Sequence, residues 1–329
     1  MSKKYISALL VFVMILSLLP VGVLADTGSA VTVNGYVSNY PAGDKNMYVT
    51  QRTDRVVAPG ITEQDIFLND GDGSDQVAGC MMTIDLSGGN VKIKATYKGF
   101  YNGTDSSKWS VDKWGMQTIR EQAEAYEAST GEKVVAATNA DYFNMQTGQP
   151  LGVLIMNGVN CNPAKVAAEP YFAILKDGTA VIRDAGTPVD DVAEAVSSPF
   201  YLVKDGVNVR SPGENSLIPG NSIGIDDQGR IRTFVADGRQ TPYSRGITIY
   251  ELAEFWEAQG MKDVLYLDGG GSATLLTNAD DGSGLELRNS PSDGYERTVS
   301  SGLLFVTKAA PASGRLDHAD IYCSADSIP

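Results

Sequence analysis

The residues best able to do chemistry in this chain fall in four short runs. Leu267-Asp268-Gly269-Gly270-Gly271-Ser272 sets a carboxylate ahead of three glycines and a hydroxyl. Three consecutive glycines give up backbone order where an ordinary turn needs one, so something is expected to come close to the main chain there. The amides of Gly269, Gly270, Gly271 and Ser272 would cradle a phosphate or sugar oxygen as an anion-binding nest; a tight structural turn is the plainer alternative. No GKS or GKT ending follows, which argues against a nucleotide P-loop.

The second run is Thr138-Asn139-Ala140-Asp141-Tyr142-Phe143-Asn144, followed by Gly148-Gln149-Pro150-Leu151-Gly152. On an extended segment Asn139 and Asp141, two apart, point the same way; an Asx-capped turn is the alternative. Glu296-Arg297 offers a second carboxylate and a planar guanidinium suited to a pair of phosphodiester oxygens, although an isolated dipeptide of this kind is more often a solvated charge pair. Val235-Ala236-Asp237-Gly238-Arg239 supplies another carboxylate and guanidinium, or else a type I′ or II′ turn.

Each run adjoins a β-prone stretch, so the elements that must position them are strands. Strands are predicted at 133–138, 151–157, 171–175, 179–183, 200–204, 222–226, 231–236, 264–267 and 301–307, mostly bounded by Gly, Asp, Asn or Pro. Residues 81–86 and 91–97 flank a Ser87-Gly88-Gly89-Asn90 turn and read as a β-hairpin, with regular structure beginning at Cys80. One helix is predicted at about 112–129, from Trp114, Ile119, Ala123 and Tyr126. A second opens at Thr248, whose spacing to Glu251 is that of a capping box, and stops at Gly260. The fold class expected is α+β: a strand-rich mixed sheet with a few helices and an active site gathered at strand ends.

The remaining composition narrows the function by exclusion. The net charge of −14 repels nucleic acid and anionic lipid, so an anion site must be built locally. His318 is the single histidine, which argues against Ser-His-Asp or Cys-His hydrolases and His-ligated zinc. The spacing of Cys80, Cys161 and Cys323 suits no cysteine metal site; Cys80 and Cys161 pair or stay as buried free thiols. No metal and no cofactor is expected. Asp70-Gly71-Asp72-Gly73-Ser74-Asp75 imitates the start of a calcium loop, but an EF-hand has glycine where Asp75 stands and glutamate where Met81 stands. Lys3 and Lys4 ahead of the apolar run Ala8–Leu16, with Val23-Leu24-Ala25 behind it, read as a signal peptide. The organisation expected is a signal peptide at 1–25, an N-terminal leader or edge region at 26–79, one domain at 80–308, and a linker or the start of a further module at 309–329. The chain is expected to be secreted or associated with the cell envelope, without stable membrane insertion once the signal is cleaved.

Taken together over about 80–308, these marks resemble the phosphodiester glycosidases: Asn139-Ala140-Asp141-Tyr142-Phe143, Pro150-Leu151-Gly152, Ile223-Gly224-Ile225, Asp237-Gly238-Arg239, the triple glycine after Asp268, and Glu296-Arg297 before the last strand. The resemblance implies hydrolysis of a sugar-1-phosphodiester, with a wall, teichoic-acid-like or exopolysaccharide substrate for a secreted member. On that reading Asp268 faces the anomeric carbon, Glu296 is the second carboxylate, Arg297 and the glycine amides hold phosphate, and Asn139 and Asp141 bind sugar hydroxyls. Asp141 is also a candidate catalytic group, and Asp237 and Arg239 candidate binding groups. Two departures stand out. Pro219-Gly220-Asn221-Ser222 lacks the arginine many members carry there, and members with glycine in place of Asp141 exist. The rival readings are a non-catalytic carbohydrate-binding module of the envelope and a phosphodiesterase cutting at phosphorus.

Overall fold

Along the central strands apolar side chains point alternately to two opposite faces, and both faces are buried. Met82, Ile223, Ile231, Val235 and Leu265 share one core, whereas Met81, Phe234, Val264 and Tyr266 belong to another. Such strands lie in the middle layer of a three-layer arrangement. The structure, a computed structural model, describes residues 40–41, 48–69, 75–98, 114–165, 169–279 and 282–307. The signal peptide expected at 1–25, most of the calcium-like loop and the C-terminal 309–329 lie outside these residues.

The middle layer is a nine-stranded sheet. Its order is β1 (Tyr40–Pro41), β2 (Tyr48–Ala58), β3 (Ile61–Asn69), β4 (Val77–Ile84), β15 (Ile231–Ala236), β14 (Gly220–Asp226), β16 (Met261–Tyr266), β12 (Tyr201–Lys204) and β13 (Val207–Asn208). Among the described residues two further sheets have five strands each. One runs β18 (Leu285–Leu287), β17 (Leu275–Asn278), β6 (Lys133–Asn139), β19 (Ser301–Thr307), β5 (Val91–Tyr97). The other runs β10 (Ala180–Arg183), β9 (Tyr171–Leu175), β11 (Val192–Ser197), β7 (Leu154–Met156), β8 (Val159–Asn160). Ile93, Ala95, Phe172, Leu303 and Phe305 from these sheets pack with the inner face of the nine-stranded sheet.

Two α-helices cover outer faces. Helix α1 (Ile119–Thr130) lays Ile119, Ala123 and Tyr126 on Val134, Leu304 and Val306 of β6 and β19. Helix α2 (Ile249–Ala258) buries Leu252, Phe255 and Trp256 against Phe234, Val264 and Tyr266, and Trp256 Nε1 donates to Ser222 Oγ at 2.8 Å. Both open with a complete capping box, Thr118 with Glu121 and Thr248 with Glu251. No helix among the described residues is long and apolar enough to cross a membrane.

The α+β class expected from the sequence is the class observed, with ladders that are antiparallel rather than mixed. Four local expectations need correction. In the stretch read as a leader or edge region, β2 and β3 are two long strands at the edge of the sheet beside β4, and regular structure does not wait for Cys80, since β4 itself starts at Val77. The predicted hairpin is split: β4 pairs with β3 and β15, while β5 pairs with β19 in another sheet. Both strands are buried on the face they turn to the common core, so the turn at 87–90 joins two layers instead of two neighbours. Helix α1 begins at Ile119 and not near 112, because the cap is at Thr118 and Gln117 forms a bridge with Val299. The run Asp237-Gly238-Arg239 is not a hairpin turn, since the chain leaves β15 there for α2.

Candidate active site at the strand ends

The C-terminal ends of β6, β15 and β16 and the N-terminal ends of β14 and β19 converge on one edge, and the four sequence runs sit there. Asp268 follows β16 and is 9% exposed. Its amide donates to Ala140 O at 2.8 Å, and its carbonyl accepts from Asn139 Nδ2 at 2.7 Å. Burial pushes its carboxyl up to about 6, while the Ser272 hydroxyl and the Arg297 guanidinium pull the other way.

Each glycine of the triple has its own physical reason. A Cβ on Gly269 would lie 2.4 Å from the Tyr266 hydroxyl and 2.6 Å from Pro219 O. Gly270 takes φ +60° beneath Arg239, in the left-handed region that side chains disfavour. A Cβ on Gly271 would be 2.1 Å from Arg297 Nη2 and 2.5 Å from Asp293 Oδ1. The close approach expected from the sequence is therefore made in part by the protein's own groups. The nest is smaller than expected too, because the Gly270 amide donates to Pro219 O and the Ser272 amide to Gly269 O.

Two guanidinium groups bracket this turn. Arg297 donates from Nε to Asp293 at 2.8 Å and from Nη1 to Ser272 Oγ at 3.4 Å. Arg239 has a left-handed backbone, φ 61°, and a guanidinium that makes no hydrogen bond or ion pair among the described residues. Its neighbour Asp237 is buried and raised to about 6 by that burial. Asp237 accepts from the Ser290 amide at 2.7 Å and the Tyr243 hydroxyl at 2.9 Å, so it ties down the segment that Asn289 links to Ala273.

Asn139 and Asp141 part company. Asn139 Oδ1 accepts from Asn221 Nδ2 and the Thr274 amide, both at 3.0 Å, so its amide fastens β6 to β14 and to the turn after Asp268. Strand β6 ends at Asn139, and the two-residue alternation does not reach Asp141. Asp141 is fully enclosed, with the Ser197 amide donating to it at 2.6 Å and the Ser197 and Ser301 hydroxyls also donating. Burial pushes its carboxyl up to about 7. Glu296 turns to α1, where Arg120 Nε and Nη2 hold one carboxylate oxygen at 2.8 and 2.7 Å. The site thus gathers Asp268, the glycine turn, Ser272, Arg239 and Arg297; Glu296 and Asp141 are bound elsewhere by other side chains.

A model of the family described as phosphodiester glycosidase matches residues 132–306, just over half of the chain. The chain belongs to the phosphodiester glycosidase family. Among curated proteins, it is 28% identical to the mouse N-acetylglucosamine-1-phosphodiester alpha-N-acetylglucosaminidase over 43% of this chain and 31% of that one. It is 27% identical to the human protein of that name over 50% of this chain and 36% of that one. The match thus spans about a third of these relatives' length. The catalytic domain of the zebrafish protein of the same name, titled as auto-inhibited by its pro-peptide, has a TM-score of 0.60 and 19% identity, covering 80% of this chain and 89% of that one. A hypothetical protein from Synechocystis has a TM-score of 0.57 and 13% identity over 78% of this chain and 64% of that one. These two likenesses concern the fold.

Within this candidate site one residue that the sequence presents only as a member of the second run has a place of its own. Tyr142 lies near Asp268 with its hydroxyl facing that of Tyr266, and burial pushes it up to about 12. Its ring stacks on Tyr266 at 6.2 Å, and Tyr266 stacks in turn on Phe200 at 5.2 Å. Its signal in the sequence is its place beside Asp141 in the second run, where the carboxylate declares the more obvious chemistry.

Proposed function

We propose that this chain hydrolyses the glycosidic bond of a sugar-1-phosphodiester, with Asp268 as the carboxylate at the anomeric carbon. The observation that carries the reading is the position of Asp268: a buried carboxylate at a strand end, drawn on by the Ser272 hydroxyl and the Arg297 guanidinium, beside glycines whose lack of side chains lets Arg297 and Arg239 come close to the turn. Family membership supports it. The phosphate leaving group is already a weak base, so it departs with the bonding pair without a strong general acid. That makes a site with one carboxylate in reach chemically sufficient. Water adds to the anomeric carbon, Asp268 takes its proton, the bond from carbon to phosphate oxygen breaks, and a free sugar and a phosphomonoester leave. Positive charge builds on the sugar ring during this step, and an ionised Asp268 stabilises it. Arg297 and Arg239 hold the phosphate, with Ser272 orienting Asp268. Asn139 and Asp141 act as positioning residues, and Glu296 steadies the Arg297 segment through Arg120.

The chain is proposed to act outside the cytoplasm on a wall, teichoic-acid-like or exopolysaccharide polymer. The test is a panel of sugar-1-phosphodiesters, including N-acetylglucosamine-1-phosphodiesters, with free sugar and free phosphomonoester followed separately in ¹⁸O-water. Equal release with the label on the sugar supports the reading. Label on phosphate would move the reaction to phosphorus. With Asp268 as base the sugar emerges with inverted configuration, and retention would make Asp268 the nucleophile.

A further inference from the structure

A cavity of about 240 Å³ opens beside Asp237, walled by Phe67, Tyr243, Asp65 and Arg288. We infer that it is a second sugar-binding subsite, holding a ring of a polymeric glycan other than the ring that is cut. This rests on the glycosidase reading above and extends it from a small diester to a chain substrate.

The lining has the chemistry of a neutral sugar. The rings of Phe67 and Tyr243 meet edge to face, 6.4 Å between centroids and 80° between planes, and Tyr243 is 43% exposed. Such rings cover the apolar C–H face of a pyranose. The half-exposed Asp65 carboxylate is the acceptor for ring hydroxyls, while buried Asp237, held by Ser290 and Tyr243, fixes the Tyr243 ring at the wall. Arg288 is held by Glu63 at 2.6 Å and Asp65 at 3.0 Å, so its charge is answered within the protein. Two carboxylates against one paired guanidinium give a lining that rejects phosphate and accepts hydroxyls.

The position fits as well. Gly79 on β4 is level with Ala236 on β15, and Ala236 with Gly220 on β14, while Ser222 is level with Tyr266 on β16. The cavity and Asp268 therefore lie at the same end of one sheet, three strand steps apart. At about 4.8 Å per step that is roughly 14 Å, longer than one sugar ring. Asp237 is also only two residues from Arg239, which stands over Gly270. A glycan laid along this edge would reach both places.

The experiment uses Tyr243→Ala and Phe67→Ala in the full chain, each checked by thermal melting. Kinetics are read on a monosaccharide-1-phosphodiester and on a phosphodiester-linked wall polymer. In parallel, saturation-transfer NMR follows neutral trisaccharides of N-acetylglucosamine and of glucose on the wild type and both variants. The expected result is a KM for the polymer raised about tenfold, an unchanged kcat/KM for the small diester, and saturation-transfer signals of the trisaccharide protons seen with the wild type and lost with the variants. Equal effects on both substrates, or no effect on the polymer together with no trisaccharide binding, would overturn the subsite. Should no substrate turn over, the glycosidase reading falls while trisaccharide binding that depends on Tyr243 still reports on the cavity.

Discussion

At the scale of single residues, Asp268→Asn keeps the shape of the site and removes the group that takes the proton. Turnover is expected to fall by about 10²–10⁴-fold with no loss of thermal stability, and near-wild-type turnover would take Asp268 out of the chemistry. The ionised form is the active one, and burial lifts its pKa to about 6. The logarithm of kcat/KM should therefore climb with pH and level off above about 6. A rate that already stands at its plateau near pH 4.5 would contradict that assignment. Arg297→Lys keeps a charge but loses the fork, and the small-diester KM is expected to rise about tenfold with kcat less affected. Equal loss from both parameters would place Arg297 in the chemical step. Asp268, the glycines and Arg297 were legible in the sequence because an acid, a run without side chains and a guanidinium each declare their chemistry. The fates of Asp141 and Glu296 were not, since they depend on Ser197, Ser301 and Arg120, distant in sequence and ordinary in kind.

At the scale of elements, the two capping boxes show what sequence reads well and where it slips. Thr248 and Glu251 placed the start of α2 correctly, because the amides at a helix start need local partners. The Thr118–Glu121 box has the same pattern, yet Trp114 falls near the apolar spacing of Ile119, Ala123 and Tyr126 and extends the predicted helix back toward 112. Thr248→Ala should cost about 1 kcal/mol in urea unfolding. A loss below about 0.3 kcal/mol would mean that packing of Trp256 and Phe255 alone fixes the helix. Strands β11 and β17 are not among those predicted from the sequence. β11 carries an irregular register at Val192 and Glu194, and β17 has only four residues. Their neighbours in the sheet, rather than their own pattern, make them strands. The split of β4 from β5 has the same cause: a short turn is compatible with pairing but does not compel it.

At the scale of the whole molecule, burial of acids beneath the strand ends ties stability to pH. Asp141 has a folded pKa near 7 against 3.8 for the free side chain, and Asp237 and Asp268 shift the same way. The folded state keeps protons that the unfolded chain gives up. The resulting stabilisation is complete below about pH 4 and is lost as pH rises through about 7. Compared with Asp141→Asn, the wild type should lose stability between those limits, by at most about 1.4 kcal/mol per pH unit. Parallel stability curves for the two proteins would show that Asp141 is already ionised throughout.

Arg239 also bears on how such measurements are set up. Among the described residues its guanidinium makes no hydrogen bond or ion pair, and it stands over Gly270 at the candidate site, so small anions in solution have a ready place there. Phosphate or sulfate buffers would then compete with substrate from the first assay onward, and an inactive preparation in phosphate would say more about the buffer than about the protein. Amine sulfonate buffers at low salt are the appropriate medium, with added phosphate as a titrant that maps the site.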